Sequence, residues 1–243
     1  GAMVYGGVEQ ARFALNLDTL WAGGPADRNN PRALKALPRV QELLFAGHNE
    51  EATDLAGQDM LGTPPTNDPY EPLGDLLLEM QAGSAAEDYI RELDMDAAIA
   101  HTRYRSAGAT YTRRSYVSAP DQVLVVQVET QAQEGLKFTI AITREQNARV
   151  RSCGSRILLD GATDDGLSFY ASARVLTKGG SITQAAETLQ VEGASSVTIL
   201  LAAATGIEAE NPERMVEQQL DAASARSLAE LEDAHVQEHR SWY

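Results

Sequence analysis

The sequence predicts a mainly β protein in which antiparallel sheets pack face to face. Three observations carry this. From Asp75 onward, short segments alternate apolar and polar residues between glycines, the period-two signature of half-buried strands. One of them, Gln122 to Glu129, reads Q-V-L-V-V-Q-V-E, nearly continuous in the way of a central strand buried on both faces. Asn-Pro pairs at Asn30-Pro31 and Asn211-Pro212 mark helix starts on either side of the strand series, an N-cap followed by a proline at the first helical position. No segment repeats at a fixed period, which argues against a propeller or solenoid.

Taken in order, Met3 to Tyr5 and Arg12 to Leu17 are expected to pair around a turn at Gly6-Gly7. Leu34, Leu37, Val40, Leu43 and Leu44 fall at helical spacing, so Arg32 to Ala46 reads as an amphipathic helix. Pro38 is expected to kink or split it, and Gly47 to end it. A second short helix follows from Asn49 to Met60. Gly62 to Gly74, G-T-P-P-T-N-D-P-Y-E-P-L-G, is a stiff proline-rich loop that cannot join a ladder. It offers Asn67, Asp68 and Tyr70 either for surface contacts or as a solvated connector.

The strand series then runs through Asp75 to Met80, Tyr89 to Asp94, and a hairpin of Ile99 to Ser106 and Thr110 to Ser118 turning at Ala107-Gly108-Ala109. It continues with Leu136 to Thr143, Arg156 to Asp160, Leu167 to Leu176, Leu189 to Gly193 and Val197 to Ala203. Sheets packed face to face follow from this spacing. After Asn211, the apolar path of Met215, Val216, Leu220, Leu228 and Leu231 is interrupted across Ala222 to Ala225, so two helices share the length. The domain boundaries expected are 1–207 for the β region and 208–243 for a helical connector.

With 243 residues, 43% of them hydrophobic and 23% charged, the chain can bury a substantial core and is not disordered. The formal net charge of −15 argues against a nucleic-acid partner, which requires clustered cations, and against docking on an anionic membrane. No apolar run spans a bilayer, so a soluble chain is expected, cytoplasmic or secreted. A single cysteine, Cys153, rules out an internal disulfide and a cysteine metal framework. Gly1 to Gly7 enters a strand with no leader, and His239 to Tyr243 stops in helix-like sequence. Both ends are expected to be cuts through something larger.

The densest chemistry lies in Asn16-Leu17-Asp18-Thr19-Leu20-Trp21-Ala22-Gly23-Gly24-Pro25. An amide, a carboxylate, a hydroxyl and an indole sit where a strand runs into a loop, a common place for binding groups. The same residues also fit a capped turn, with Asp18 and Thr19 bonding nearby amides and Trp21 closing the edge of a core. Glycoside hydrolysis usually needs two carboxylates across one bond. Asp18, Asp68 and Asp75 are candidates, but nothing pairs them. His235 and His239 share a helical face at i, i+4, but H-V-Q-E-H lacks the Glu of a zinc-protease motif and a third ligand, so no metal is expected. Asp160 to Gly166 lacks the closing Glu of a calcium loop. Arg113-Arg114 reads as a charged sheet face, Cys153 has no neighbouring histidine, and no phosphate or dinucleotide loop is present. No cofactor is expected.

Several ordered segments resemble one family. G-A-M-V-Y-G-G-V-E, L-N-L-D-T-L-W-A-G-G-P, D-R-N-N-P-R-A-L and E-L-L-F-A-G are followed by Tyr70 to Glu79, Asp88 to Ala100, Tyr111 to Val123, Val197 to Thr205 and finally A-H-V-Q-E-H-R. In this order they resemble the N-terminal domain of family 95 glycoside hydrolases, the bacterial and plant α-L-fucosidases, essentially end to end. The resemblance implies a large antiparallel β-sandwich (a supersandwich) with short helices inserted near the N-terminus. A C-terminal linker helix would then lead to an (α/α)6 catalytic barrel. It further implies an inverting exo-hydrolase, typically releasing fucose from α-1,2 linkages, with the general acid and water-activating groups in the barrel beyond Tyr243. This fragment alone would then be inactive, with no catalytic residue of its own. The family usually shows Gly-Asn-Gly-Arg-Leu just before Gly1. It generally has an acidic residue where this chain has Leu17, whereas Asn16, Asp18, Thr19 and Trp21 match. The expected partners are the chain's own barrel and a fucosylated oligosaccharide. The expected substrate-binding residues are Trp21, stacking on a sugar, with Asp18, Asn16 and Thr19 bonding hydroxyls. A stand-alone carbohydrate-binding sandwich, or a scaffold unrelated to sugars, remains open on the same residues.

Overall fold

The computed structural model describes residues 1–24, 26–66, 68–81 and 85–242. The chain divides into two compact units: Gly1–Leu20 with Glu71–Tyr243, and Trp21–Tyr70. The expected turn proline Pro25 and the loop candidate Asn67 lie outside the described residues.

In chain order the elements are β1 (Ala2–Tyr5), β2 (Gln10–Leu15), α1 (Ala33–Phe45), α2 (Asn49–Asp59), β3 (Gly74–Met80), β4 (Glu87–Asp94), β5 (Ile99–Ser106), β6 (Ala109–Ser118), β7 (Val123–Thr130), β8 (Leu136–Thr143), β9 (Ala148–Cys153), β10 (Arg156–Ala162), β11 (Ser168–Lys178), β12 (Ser181–Ala185), β13 (Thr188–Ala194), β14 (Ser196–Thr205), α3 (Pro212–Ser224) and α4 (Leu228–Arg240). The fold is mainly β. A six-stranded sheet, β1-β2-β3-β8-β13-β12, faces an eight-stranded one, β4-β5-β6-β7-β14-β11-β10-β9, and the pairings are antiparallel. Alternate residues from both sheets fill the space between them: Phe13, Leu76, Phe138 and Ile140 from one, Val126, Ile157, Phe169 and Ile199 from the other. This is the sandwich that the alternating segments predict.

The two sheets differ on their outer faces. That of the six-stranded sheet is polar and carries cross-strand ion pairs such as Arg12–Asp75 and Lys137–Glu192, as a solvated face should. The eight-stranded sheet carries a second core instead. Ile99, Tyr116, Val125, Tyr170 and Leu200 pack under Val216, Leu220 and Ala223 of α3 and Leu231 of α4. β7 therefore buries both faces, which is why its sequence is nearly continuous in valine and leucine. α3 starts as its Asn-Pro signature predicts, with Asn211 accepting from the Arg214 amide at 2.9 Å. α4 opens with a capping box between Ser227 and Glu230, worth about 1 kcal/mol.

Five details differ from the sequence reading. The hairpin turn holds two residues rather than three: Ala107 and Gly108 both adopt positive φ and Ser106 faces Ala109, the type I′ geometry that suits strand twist. β2 stops at Leu15, because its partner strand ends there and Leu17 begins a turn closed by the Leu20 amide. Helix α1 begins at Ala33 and Asn30 is not its cap. Asn30 accepts from the Arg32 amide and donates to the Asp59 and Leu61 carbonyls, holding the end of α2. Pro38 lies inside α1 without splitting it; proline removes one helical donor, and the helix continues past it. β9 and β12 have no counterpart in the alternation. Each is an edge strand with no buried residue, so burial leaves no pattern to read.

In the second unit α1 and α2 pack through Val40, Leu43 and Ala52. No helix among the described residues is long and apolar enough to cross a membrane.

Candidate functional site

The polar stretch singled out in the sequence divides between the two units: Asn16, Asp18 and Thr19 belong to the sandwich, Trp21 to the helical unit. In the sandwich, Leu15 and Leu20 are buried at either end of the loop, Leu17 packs on the core, and Asn16 and Asp18 are exposed. Leu17, where the family resemblance expects an acid, is thus a partly buried apolar anchor. The backbone is held at both ends of the loop. Asn16 exchanges two hydrogen bonds with Gly1, the Leu20 amide closes a turn on Leu17, and the Leu20 carbonyl accepts from Glu71.

Thr19 is the loop's side-chain tether. Its hydroxyl donates to Glu208 Oε2 at 2.9 Å and accepts from the Thr205 hydroxyl at 2.9 Å; the same carboxylate oxygen takes the Thr205 backbone amide at 2.9 Å. Thr205 ends β14, so this cluster ties the loop after a strand of one sheet to the end of a strand of the other. Glu208 is 189 residues from Thr19 and no local signal reveals it. Glu208→Ala would leave the Thr205 amide and the Thr19 hydroxyl without their acceptor. It is expected to cost about 1 kcal/mol in urea unfolding and to speed exchange of the Leu20 amide. Unchanged exchange there would show that the tether does not order the loop.

Beside the loop, Arg144 donates to the Glu71 carboxylate and the Pro72 carbonyl, and its guanidinium lies 4.5 Å above the Phe169 ring. Its side chain is only 7% exposed. It is the second residue here that sequence reasoning missed, since in the chain it is simply a cation after a strand.

In the helical unit, Trp21 and Tyr70 form an isolated bridge, with their rings in a T-shape at 5.5 Å. Trp21 is 42% exposed. An indole held edge-on by a neighbour presents a fixed apolar face, the geometry that stacks on sugar C–H groups. Asp68 is charge-paired with Arg28 at 2.6 Å. Gly23 lies directly against it: a Cβ there would fall 1.9 Å from Asp68 Oδ2, so no larger residue fits.

The remaining candidates are engaged elsewhere. Asp75 pairs with Arg12 at 2.9 Å on the sheet face. His235 is buried, stacks on Tyr116 and bonds the Ala98 carbonyl through Nε2 at 3.2 Å; His239 Nε2 bonds the Met95 carbonyl at 2.9 Å. The i, i+4 pair thus fastens α4 to the turn between β4 and β5. The Arg113-Arg114 doublet splits across the sheet. Arg114 lies on the outer face, while Arg113 is buried and donates to the Gly7 carbonyl at 3.1 Å.

Comparison with known proteins adds the family. The "Alpha-L-fucosidase 2" of Arabidopsis thaliana is 29% identical over 241 aligned positions, covering 86% of this chain and 28% of that protein. The "Probable alpha-fucosidase A" of Aspergillus niger is 30% identical, covering 99% of this chain and 33% of that protein. Its Aspergillus oryzae namesake is 24% identical over 98% of this chain and 36% of that protein. The chain thus spans about a third of these relatives' length. A solved structure named for kojibiose phosphorylase, from the human microbiome, superposes with a TM-score of 0.50 at 11% identity, over 68% of this chain and 27% of that one, and shares the fold. Residues 1–210 match the family described as glycosyl hydrolase family 65, N-terminal domain, and the chain belongs to that family of N-terminal glycosidase domains.

Proposed function

We propose that the chain is the N-terminal sandwich of an inverting exo-α-L-fucosidase of the family 95 type, acting on α-1,2-linked fucose. The observation that carries this is the near-complete coverage of the chain by its α-fucosidase relatives, 86% to 99%. The catalytic acid and base belong to an (α/α)6 barrel outside these residues, and the sandwich packs on that barrel as its partner. Trp21 supplies a sugar-stacking face at the rim. In the sandwich, Asn16 and Asp18 offer an exposed amide and carboxylate to sugar hydroxyls, and Thr19 fixes the loop that carries them.

The test is the longer natural protein assayed on an α-1,2-fucosylated oligosaccharide, with the released sugar followed by proton NMR. β-L-Fucose should appear first. Early α-L-fucose would overturn inversion, and the absence of any fucose release would overturn the activity. In that protein Trp21→Ala is expected to lower kcat/KM about five-fold, the equivalent of roughly 1 kcal/mol. Wild-type kinetics in a stably folded variant would remove Trp21 from the rim.

A further inference from the structure

The helices cover only part of the outer face of the eight-stranded sheet. Under α3 and α4 that face is apolar, with Ile99, Tyr116 and Val125 on adjacent strands. Two residues along the same strands it becomes polar. The strand register aligns two rows there: Glu92, His101, Arg114 and Gln127 in one, and Ile90, Arg103, Thr112 and Glu129 in the next. These side chains line a hollow of about 530 Å³. A second hollow of about 400 Å³ shares Thr112 and Glu129 and continues toward Lys178 and Ser196.

We propose that this open half-face binds a neutral oligosaccharide. Its polar groups are held in place before any ligand arrives. Arg114 is anchored by Glu232 of α4 at 2.9 Å and forks onto Gln127 Oε1 at 3.2 and 2.6 Å, and Gln127 Nε2 donates to Glu129 at 2.9 Å. Fixing donors and acceptors in advance reduces the ordering cost of binding. Arg103, Glu92 and Lys178 carry no ion pair among the described residues and are available to a ligand. Of the charges at the two hollows, Arg103, Arg114 and Lys178 are offset by Glu92, Glu129 and Arg114's partner Glu232. Arg113, which also borders the first hollow, is turned inward to the Gly7 carbonyl, so the outward-facing charges cancel within a chain of net charge −15.

That balance selects the ligand class. A polyanion needs a net positive surface, and a peptide groove needs apolar anchors, where this one offers Ile90. Sugar hydroxyls both donate and accept, so they use guanidinium, amide and carboxylate together. Four strands at the usual spacing span about 14 Å, enough for a short oligosaccharide. The choice of a fucosylated sugar as probe rests on the α-fucosidase reading; the location of the site does not.

The test is titration of the 243-residue chain with a neutral α-1,2-fucosylated trisaccharide and with its defucosylated counterpart, read by amide chemical shifts. Saturable shifts centred on Thr112, Gln127 and Glu129 are expected, with a Kd of about 0.1–1 mM. Arg103→Ala and Glu129→Gln should each weaken binding at least five-fold, and Lys137→Ala on the other sheet should not. Both mutated side chains are exposed, so an unchanged unfolding midpoint verifies the fold of each variant. Failure of both sugars to saturate overturns the proposal, as does binding that survives both substitutions. Saturation of this surface stands as support even if the longer protein releases no fucose, so the two readings fail separately.

Discussion

Replacing Arg144 with alanine is expected to lower the unfolding free energy by about 3–5 kcal/mol, read as a fall in the urea midpoint. Arg144 follows β8, where its guanidinium reaches the Glu71 carboxylate and the Pro72 and Gln146 carbonyls while covering Phe169 of the core. Glu71 begins the return of the chain to the sandwich, and its amide bonds the Leu20 carbonyl. Removing the cation strands a carboxylate whose side chain is only 21% exposed and uncovers an aromatic ring. Arg144→Lys should recover little, because an ammonium cannot fork between a carboxylate and carbonyls. Replacing both partners, with Arg144→Met and Glu71→Leu, should cost less than Arg144→Ala alone, since no buried charge is left unpaired. A loss below about 1 kcal/mol for Arg144→Ala would show that the pair is solvated and carries no such weight.

Burial decides how easily several of the elements are read from the sequence. β7 is legible because two cores, one on each face, select for valine and leucine from Val123 to Val126. α3 is legible because Asn211 and Pro212 act within four residues of each other. β9 and β12 bury no residue and go unread, whereas β1 and β4, edge strands that bury no more, are read, so exposure alone does not decide the matter. The same logic governs the candidate site. The loop from Asn16 to Trp21 stands out because its polar side chains are contiguous. The groups that hold it, Glu208 and Arg144, are distant in sequence and chemically ordinary; the closure of two sheets over one core brings Glu208 to Thr19, and the pairing of β3 with β8 brings Arg144 to Glu71. Arg113 and Arg114 show the limit most simply. A strand sends neighbours to opposite faces, so one arginine braces the turn at Gly7 and the other joins an open polar surface. Their adjacency in the chain says nothing about which does which.

Raising the pH above 10 is expected to destabilise the protein steeply by releasing α3 and α4 from the sheet. Tyr116 and Tyr170 lie in the core beneath these helices, 6% and 4% exposed. Burial holds both phenols well above the ordinary tyrosine range, and the nearby carboxylates of Glu232 and Glu217 add to this. Tyr170 also donates to Glu217 at 3.3 Å. A phenol whose folded pKa exceeds its unfolded value contributes full stability below about pH 10, and that contribution drains away as pH rises toward the folded value. Each tyrosine can remove up to about 1.4 kcal/mol per pH unit over that window, so the two together approach about 2.7 kcal/mol per unit. Tyr104, 5% exposed and also raised by burial, adds to the fall from the other end of the sheet. Arginines stay charged throughout, and the lysines are three, Lys35, Lys137 and Lys178, all exposed. Urea midpoints at pH 8, 10 and 11 should therefore be level across the first interval and fall sharply across the second. Tyr116→Phe and Tyr170→Phe should each remove about a third of the fall, because phenylalanine has no proton to lose in either state. A midpoint that holds to pH 11, or phenylalanine variants as alkali-sensitive as the parent, would show that these hydroxyls reach solvent and that the helices do not seal them.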